Sequence, residues 1–359
     1  MEQKWSMRAY KEGDEEAIFE LWEVVRPLMQ RSGEQWMRWW NWMYRDNSAG
    51  SPIIWFAQSN DKLVGQYAII PVKMKIGNET VAASQSVDTM THPDYRRQGV
   101  FEVLANKTYE QAAEEGIHVV YGFPNKYSYP GFVKKLGWFD VGTTQTLFKP
   151  LNWGNALKIQ ISNKFLLKLL SIGGGLGQKV FYRARKAPII EGLTITQVSA
   201  FDERINEFWT RVSSQYQIIV VRNKDYLNWR YVAVPGVDYL IFIAEKAGEI
   251  YGYLVWRCIP TEHTKVGTIF DVLAQSEEVA QCLISKAMER CEQEKIDLIY
   301  SAGIANKAYL KAFKRMGFIS VPFVKGGQFI AYSSASTISK EFLKDPQNWF
   351  IQIGDSDAI

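Results

Sequence analysis

The sequence predicts an α/β (α+β) protein of two similar units, each with a mixed, mostly antiparallel sheet flanked by helices. One reason is length, because 359 residues exceed the roughly 100–200 residues that one domain usually contains. A second reason is a repeated signature, which occurs as Asn41-Trp42-Met43-Tyr44 and again as Asn228-Trp229-Arg230-Tyr231. A third is that the same order of helix and strand patterns surrounds both copies.

Further matched positions fix the extent of the two copies. In chain order they are the pairs Trp22 and Trp209, Gly65 and Gly252, Asp88 and Asp271, Asn125 and Asn306, and Gly137 and Gly317. We therefore expect an N-terminal unit at 1–150, a basic helical linker at 151–190, a C-terminal unit at 191–335 and a tail at 336–359. The repeated Asn-Trp-x-Tyr segments are interpreted as a fold contact within each unit, with an acceptor groove as the alternative.

The elements follow one order in both copies. An amphipathic helix comes first, then a hairpin, a third strand, a helix, a short apolar strand and a final helix that ends at a glycine. In the first copy the first helix is at 17–25, the hairpin at 53–57 and 64–70, the third strand at 81–90, the second helix at 100–115 and the short strand at 118–123, and the final helix ends at Gly137. In the second copy the same elements lie at 201–212, 239–244 and 251–256, 266–273, 278–294 and 297–302, and the final helix ends at Gly317. A strand, helix and strand in this order form a right-handed crossover between parallel neighbours.

Composition narrows the class of protein. A net charge of +4 is too small to favour nucleic acid as a partner. Three cysteines and three histidines are too few and too scattered for a disulfide framework or a metal site. We find neither a signal peptide nor an apolar run of about 18 residues, and so expect a cytoplasmic protein without integral membrane segments. The basic 151–190 segment is interpreted as a connector, with a membrane-surface or lid helix as the alternative.

The segment from Thr91 to Phe101 is the strongest candidate for a binding site. It joins a predicted strand to a predicted helix, where the first N–H groups have no intrahelical acceptor and the helix dipole is positive. Gly99 lets the backbone approach a ligand closely, and Arg96 and Arg97 add planar hydrogen-bond donors. The turn is therefore predicted to bind a pyrophosphate.

These residues resemble the GCN5-related N-acetyltransferase (GNAT) superfamily. The matching run is THPDYRRQGV, then a helix, the strand VVYGF, an asparagine and a helix that ends in KKLGW. The family's loop is Arg/Gln-x-x-Gly-x-Gly/Ala, to which Arg96 and Gly99 conform, whereas Phe101 departs from it. A bulky residue there is similar to Eis-type acetyltransferases, which also contain two GNAT units; their third domain has no counterpart here.

The resemblance implies a role for each residue of this turn. Acetyl-CoA, or another acyl-CoA, would bind through its pyrophosphate to the backbone N–H groups of Gln98, Gly99 and Val100. Its pantetheine would follow the strand that ends near 121–123, and Asn125 matches the asparagine of the family's last motif. The cofactor-binding set is therefore predicted as Arg96, Arg97, Gln98, Gly99, Val100, Phe101 and Asn125, without a metal.

The second copy lacks these features. Its equivalent turn, 274–280, has no glycine and carries Glu277 and Glu278, whose charges would repel phosphates. We expect a degenerate GNAT unit that has lost its cofactor site and that forms a wall of the acceptor cleft.

Acyl transfer also requires a base for the amine and an acid for the leaving thiolate. The family's usual acid is a tyrosine four residues before the final glycine, but Val133 and Phe313 occupy those positions. Tyr129 is the predicted substitute, with ring packing as the alternative. Asp88 is the predicted base, with a structural bridge as the alternative. The carboxylate of Ile359 is a further candidate, since the C-terminus serves as base in Eis-type enzymes and N-myristoyltransferases; a solvated tail is the alternative.

Together these observations predict an N-acyltransferase. It would transfer an acetyl or other short acyl group from acyl-CoA to a primary amine of a small molecule or peptide, by direct attack in the first unit. One alternative is a non-catalytic acyl-CoA-binding or scaffold protein. Another is an aminoacyl transferase of the FemABX type, which needs no pyrophosphate loop. The sequence leaves open the identity of the amine and the oligomeric state, a homo-oligomer included.

Overall fold

The computed structural model describes residues 4–29, 31–152, 186–260, 265–304, 307–320, 327–334 and 338–357. The chain divides into two compact units. The first contains Met1–Gly142, Ala233–Gly236 and Gly327–Pro346, and the second contains Thr143–Val232, Val237–Gly326 and Gln347–Ile359. Most of the predicted linker lies outside the described residues.

Helices form at 17–25, 100–115, 201–212 and 278–294 and before Gly137 and Gly317, as the sequence pattern predicts, and the described residues contain further short helices that it does not predict. In chain order they are Glu15–Val25 (α1), Gly33–Trp40 (α2), Val100–Glu114 (α3), Tyr129–Lys135 (α4), Arg204–Val212 (α5), Lys224–Tyr231 (α6), Glu277–Gln293 (α7), Lys307–Arg315 (α8) and Lys340–Lys344 (α9). A π-helical turn at Asn41–Arg45 continues α2. Within the described ranges, no helix is both long enough and apolar enough to cross a membrane.

Most of the predicted strands are longer than their apolar runs suggest, whereas the one predicted at 118–123 is shorter. They are Ser6–Ala9 (β1), Ile53–Ser59 (β2), Lys62–Ile76 (β3), Glu79–Thr91 (β4), Val119–Gly122 (β5), Phe139–Thr143 (β6), Gln145–Pro150 (β7), Thr194–Val198 (β8), Ile218–Val220 (β9), Leu240–Lys246 (β10), Glu249–Pro260 (β11), Lys265–Ala274 (β12), Leu298–Ile304 (β13), Ile319–Ser320 (β14), Gln328–Ser333 (β15) and Trp349–Gln352 (β16).

Each unit contains a mixed sheet of the same design. In the first unit the strand order is β1-β2-β3-β4-β5-β15-β6, with β4 and β5 parallel and β1 to β4 antiparallel in sequence. In the second unit the order is β8-β10-β11-β12-β13-β7-β14, with β12 and β13 parallel. The α/β prediction of mixed sheets with helices is thereby confirmed.

One strand of each sheet comes from the sequence range of the other copy. Strand β7 pairs with β13 in the second unit, and β15 pairs with β5 in the first. Both occupy the same place, beside the short parallel strand of a crossover. An alternating apolar pattern predicts that a segment is a strand, but not which of two similar sheet edges it joins. The ranges 1–150 and 191–335 describe the two copies in the sequence, and as domain boundaries they stay a prediction.

Gly65 determines how closely α3 packs on the first sheet. A Cβ atom at this position would lie 2.4 Å from a methyl carbon of Val100, the first residue of α3. The matched glycine of the second copy, Gly252, is similarly crowded, with Leu283 of α7 at 3.0 Å from the position of its Cβ. This repeated glycine lets the crossover helix begin directly over the sheet, which places the N-terminus of α3 at the candidate site.

Candidate functional site

A cleft of about 770 Å³ opens in the first unit, where β4 ends and α3 begins. Its walls are Val25, Thr89, Thr91, Tyr95, Arg96, Arg97, Gly99, Val100, Phe101, Glu102, Asn125, Tyr127, Ser128, Gly131 and Lys135. The cleft thus brings together most of the predicted cofactor-binding residues, which come from the turn before α3 and the turn before α4.

Strands β4 and β5 diverge beside this cleft, and Thr89 and Thr91 of β4 line it. Strands β4 and β5 pair in parallel from Ala83 and Val119 up to Gln85 and Tyr121. Beyond that point β4 continues to Thr91, whereas β5 ends at Gly122. A bulge in β4 opposite Tyr67 adds to the separation. The gap beyond the last pair is the place where the resemblance puts the pantetheine.

The N-terminus of α3 presents unpaired backbone donors. Gly99 has a left-handed conformation, with φ of 80°, and no side chain caps the helix. The first amide to find an acceptor is that of Val103, which donates to the Gly99 carbonyl at 3.0 Å. Among the described residues, the amides of Gln98, Gly99 and Val100 have no acceptor. Such a group of free donors at a helix N-terminus suits an anionic ligand.

Positive charge accompanies these donors. Neither Arg96 nor Arg97 forms an ion pair with a carboxylate in the described part of the chain. The acidic side chain in the cleft wall, Glu102, is neutralised by an ion pair with Lys135. The net charge of the cleft wall is therefore positive, as a polyanionic cosubstrate requires.

Helix α4 makes room for the bulky side chain of Phe101, which stands where the family's loop has glycine or alanine. Its ring packs edge-on against Phe132, with centroids 5.1 Å apart. A Cβ atom at Gly131 would lie 2.8 Å from the Phe101 ring. Because Gly131 has no side chain, the bulky ring fits into the cleft wall. Sequence reasoning missed Gly131. Its only signal in the sequence is that a glycine stands inside a helix, at a position whose backbone conformation does not require one.

Asn125 has a structural task in the cleft wall. Its Oδ1 accepts hydrogen bonds from the amides of Tyr127 at 2.9 Å and Ser128 at 3.0 Å, which stabilises the turn before α4. Its Nδ2 group donates to no acceptor among the described residues. The side chain could therefore hold the turn and still offer a donor to a ligand.

Asp88 lies next to the cleft, in the bulge of β4. Its carboxylate accepts a hydrogen bond from Tyr44 at 2.8 Å and pairs with Arg26 at 2.9 Å. In the second unit, Tyr231 donates to Asp271 at 2.9 Å in the same way. The tyrosines end the repeated Asn-Trp-x-Tyr signature, so that signature forms the fold contact that the sequence predicted. The recurrence also favours a structural task for Asp88, whose role as a base stays a prediction.

Tyr127, which precedes α4, and Tyr129, its first residue, have different surroundings. The hydroxyl of Tyr129 donates to Asp140 at 2.7 Å, and this hydrogen bond raises the pKa of Tyr129. Tyr129 does not belong to the cleft wall, whereas Tyr127 does. Val133 and Phe313 supply no hydroxyl, and Ile359 lies outside the described residues.

A buried network of hydroxyl groups lies behind the cleft. Tyr67 and Tyr109 share a hydrogen bond of 2.5 Å, and Ser86 and Trp138 each donate into this pair. Burial raises the pKa of both tyrosines, so both stay protonated at physiological pH. Sequence reasoning missed this network, because its members come from four separate parts of the chain.

The corresponding region of the second unit is closed. Ser276 accepts a hydrogen bond from the amide of Val279 and thereby caps α7, and Glu277 forms ion pairs with Lys311 and Arg315. The cavity that remains beside them measures about 70 Å³. Strand β16 lies along the end of β13, and the side chain of Gln352 accepts from the Val272 amide at 2.9 Å. The chain's own tail thus fills the gap between β12 and β13.

The first unit is similar in sequence to a known family. Residues 6–139 match the family model described as acetyltransferase (GNAT) domain. No curated protein matches the chain in sequence.

Solved structures show the same fold over most of the chain. A GCN5-related N-acetyltransferase from Anabaena variabilis has a TM-score of 0.62 at 12% identity, covering 91% of this chain and 72% of that one. One from Kribbella flavida has a TM-score of 0.59 at 12% identity, covering 91% and 71%. The Saccharomyces cerevisiae N-myristoyltransferase with bound myristoyl-CoA has a TM-score of 0.57 at 12% identity, covering 93% and 80%. In the described part of the chain, no group of three or more His, Cys, Asp or Glu side chains could hold a metal ion.

Proposed function

We propose that the chain is an N-acyltransferase whose first unit binds acyl-CoA and transfers the acyl group to a primary amine. One observation carries the proposal, namely the unpaired amides of Gln98, Gly99 and Val100 that open into a positively charged cleft. The match of residues 6–139 to the acetyltransferase (GNAT) domain and the fold shared with N-myristoyltransferase support it. We further propose that the second unit is a degenerate GNAT unit of a tandem pair.

In this reaction the thioester of acyl-CoA is attacked directly. The amine, once it has lost a proton, forms a bond to the acyl carbon, and the bond from that carbon to sulfur breaks. The nitrogen loses its second proton and the thiolate gains one, so that the products are an amide and CoA. The chain contributes the amides and guanidinium groups that hold the pyrophosphate, and the diverging strands that admit the pantetheine.

Binding of acetyl-CoA tests this assignment through Gly99. In Gly99→Glu, a carboxylate would stand at the helix N-terminus and the left-handed backbone would be strained, so we expect at least about a 100-fold loss of affinity. Gly116→Glu is the matched control, because Gly116 ends the same helix with φ of 77° and also has open space around it. Titration calorimetry should show unchanged binding for the control. Equal binding by both variants, or none by the wild type, would contradict the proposal.

The acid is assigned to Tyr127 in this proposal, because it lines the cleft while Tyr129 is bonded to Asp140. We expect Tyr127→Phe to lower kcat about 10-fold or more and Tyr129→Phe to leave it nearly unchanged, since general acid catalysis contributes factors of about 10²–10⁴. Release of free thiol from acetyl-CoA measures both. The reverse order would return the role to Tyr129, as the sequence predicted.

A non-catalytic acyl-CoA-binding protein is the second candidate. The observation that favours it is the lack of a hydroxyl at Val133 and Phe313, the positions of the family's usual acid. Tight binding of acetyl-CoA without thiol release for any amine would support it. An aminoacyl transferase of the FemABX type would not need the free amides before α3. Absence of acetyl-CoA binding would favour that alternative.

A further inference from the structure

A second cavity opens in the first unit and shares Tyr95 with the cofactor cleft. We call it the α1 cavity; it measures about 430 Å³, a size that suits a small organic molecule. One wall is a single face of α1, since its residues there are three or four positions apart: Ala17, Glu20, Leu21 and Val24. The hydroxyl of Tyr95 donates to Ser59 at 3.1 Å and so ties the turn after β4 to the hairpin between β2 and β3, which form the other walls.

The inner surface of the α1 cavity is largely apolar. Leu21 contributes to it from the helix, and Leu63 and Val64 contribute from the start of β3; all three are buried. Val24 also lines the cavity, but it is 47% exposed. A ligand with a hydrocarbon chain would cover Val24, and removing that apolar surface from water favours binding.

Two carboxylates in the wall lack a cation. In the part of the chain that the structure describes, Glu20 forms neither an ion pair nor a hydrogen bond. The carboxylate of Asp94 lies 3.8 Å from Nδ1 of His92. That nitrogen accepts a hydrogen bond from the Asp94 amide at 3.2 Å, so it carries no proton and does not neutralise the carboxylate.

The charge of the α1 cavity is opposite to that of the cofactor cleft. Lys62 supplies a positive charge to the wall, which with the carboxylates of Glu20 and Asp94 gives a net charge of −1. The cofactor cleft instead carries Arg96 and Arg97 and is positive. The two cavities therefore favour ligands of opposite charge.

We propose that the α1 cavity binds a primary amine with an alkyl chain, as its ammonium ion. The chain would lie on Leu21, Val24 and Leu63, and the ammonium group would be attracted by Glu20 and Asp94. An ammonium ion would also bring the net charge of the wall to zero. Binding of such an amine does not need acyl-CoA, so the inference goes beyond the proposed function.

Simple alkyl compounds test the inference by titration calorimetry. Hexylamine should bind about 10-fold or more tightly than butylamine, because each buried methylene contributes a factor of about four. Hexanol has the same chain without the charge and should bind about fivefold more weakly than hexylamine. Equal affinity for hexylamine and hexanol would overturn the inference, as would tighter binding of hexanoate than of hexylamine.

Charge variants identify the carboxylates. Glu20→Gln combined with Asp94→Asn should abolish the preference for hexylamine over hexanol, while hexanol binds as before. The matched control is Glu23→Gln combined with Asp61→Asn, because Glu23 and Asp61 are exposed residues of α1 and of the same hairpin that lie outside the cavity wall. A preference that survives the first pair of substitutions, or that the control pair also abolishes, would contradict the proposal.

A variant that fills the α1 cavity tests the location of the site. Ala17→Phe places a ring in the cavity and should weaken binding of both hexylamine and hexanol about 10-fold or more. Glu16→Phe is the control, since Glu16 is an exposed neighbour outside the wall. Equal affinities in the two variants would place the amine elsewhere on the chain.

CoA separates this inference from the proposed function. Hexylamine should still bind in the presence of saturating CoA, because the two ligands occupy different cavities. Loss of hexylamine binding under these conditions would place the amine in the cofactor cleft and overturn the inference. If neither CoA nor acetyl-CoA binds to the wild type, the proposed function fails, while the comparison of hexylamine with hexanol still decides the inference.

Discussion

Replacing Arg222 by methionine should destabilise the second unit by about 3–5 kcal/mol, since it leaves buried carboxylates without their cation. Arg222 is fully buried and forms ion pairs with Asp271 at 3.0 Å and with Asp355 at 2.7 Å. Each carboxylate in the cluster is equally buried. Denaturation by urea, followed by tryptophan fluorescence, should show the loss as a lower midpoint for the second unit.

The first unit offers the control for this prediction. Arg26 pairs with Asp88 in a similar place, but the Arg26 side chain is 29% exposed. Water screens that pair, so Arg26→Met should cost about 1 kcal/mol or less. A triple variant of Arg222→Met with Asp271→Asn and Asp355→Asn should recover much of the loss, because no buried charge then lacks a partner. Equal losses in Arg222→Met and Arg26→Met would contradict the argument.

Local features of the sequence predicted the conformation of the turn before α3. The helix α3 begins at Val100 as expected, and Gly99 has the left-handed conformation that a glycine permits at little cost. These features depend on a few neighbouring residues, so the sequence pattern contains all that determines them. The repeat predicted a fold contact for the Asn-Trp-x-Tyr segments, but not that Tyr44 would contact Asp88.

Features that depend on distant parts of the chain were not predictable in the same way. The exchange of β7 and β15 is one, since both sheets offer a similar edge beside their short parallel strand. The fit of Phe101 against Gly131 is another, because it joins two helices. The position of the Tyr129 hydroxyl depends on Asp140, which no pattern connects to it. In each case the packing of distant segments, and not a spacing in the sequence, determines which residue or strand is the contact partner.

The tail strand β16 is the clearest of these distant contacts. The apolar run Trp349-Phe350-Ile351 predicts that the tail docks on the body of the protein, and all three side chains are buried. What the pattern could not indicate is the place, between the diverging ends of β12 and β13. In the first unit the equivalent gap is the candidate pantetheine site. In the second unit the chain's own strand occupies the equivalent gap, which accounts for the small cavity there.

Gly303 lets β16 pair closely with β13, and Gly303→Ala should therefore disrupt this pairing. A Cβ atom at Gly303 would lie 2.1 Å from the carbonyl oxygen of Ile351, which forces β16 away from β13. Exposure of three large apolar side chains at about 1.5–3 kcal/mol each predicts a loss of about 5 kcal/mol. Gly248→Ala is the control, because Gly248 is a hairpin residue with φ of 82° and open space around it. Its strain should cost only about 1 kcal/mol.

Displacing the tail should not create a second acyl-CoA site. In Gly303→Ala the amide of Val279 would still be capped by Ser276, and Glu277 would still stand in the first turn of α7. Combining Gly303→Ala with Gly99→Glu removes the first site and leaves only the second to be measured. Titration of acetyl-CoA into this double variant should show no binding, because negative charge and a capped helix repel the pyrophosphate even when the gap is open. Binding in the micromolar range would mean that the tail, and not the loss of the glycine turn, keeps the second unit from taking acyl-CoA.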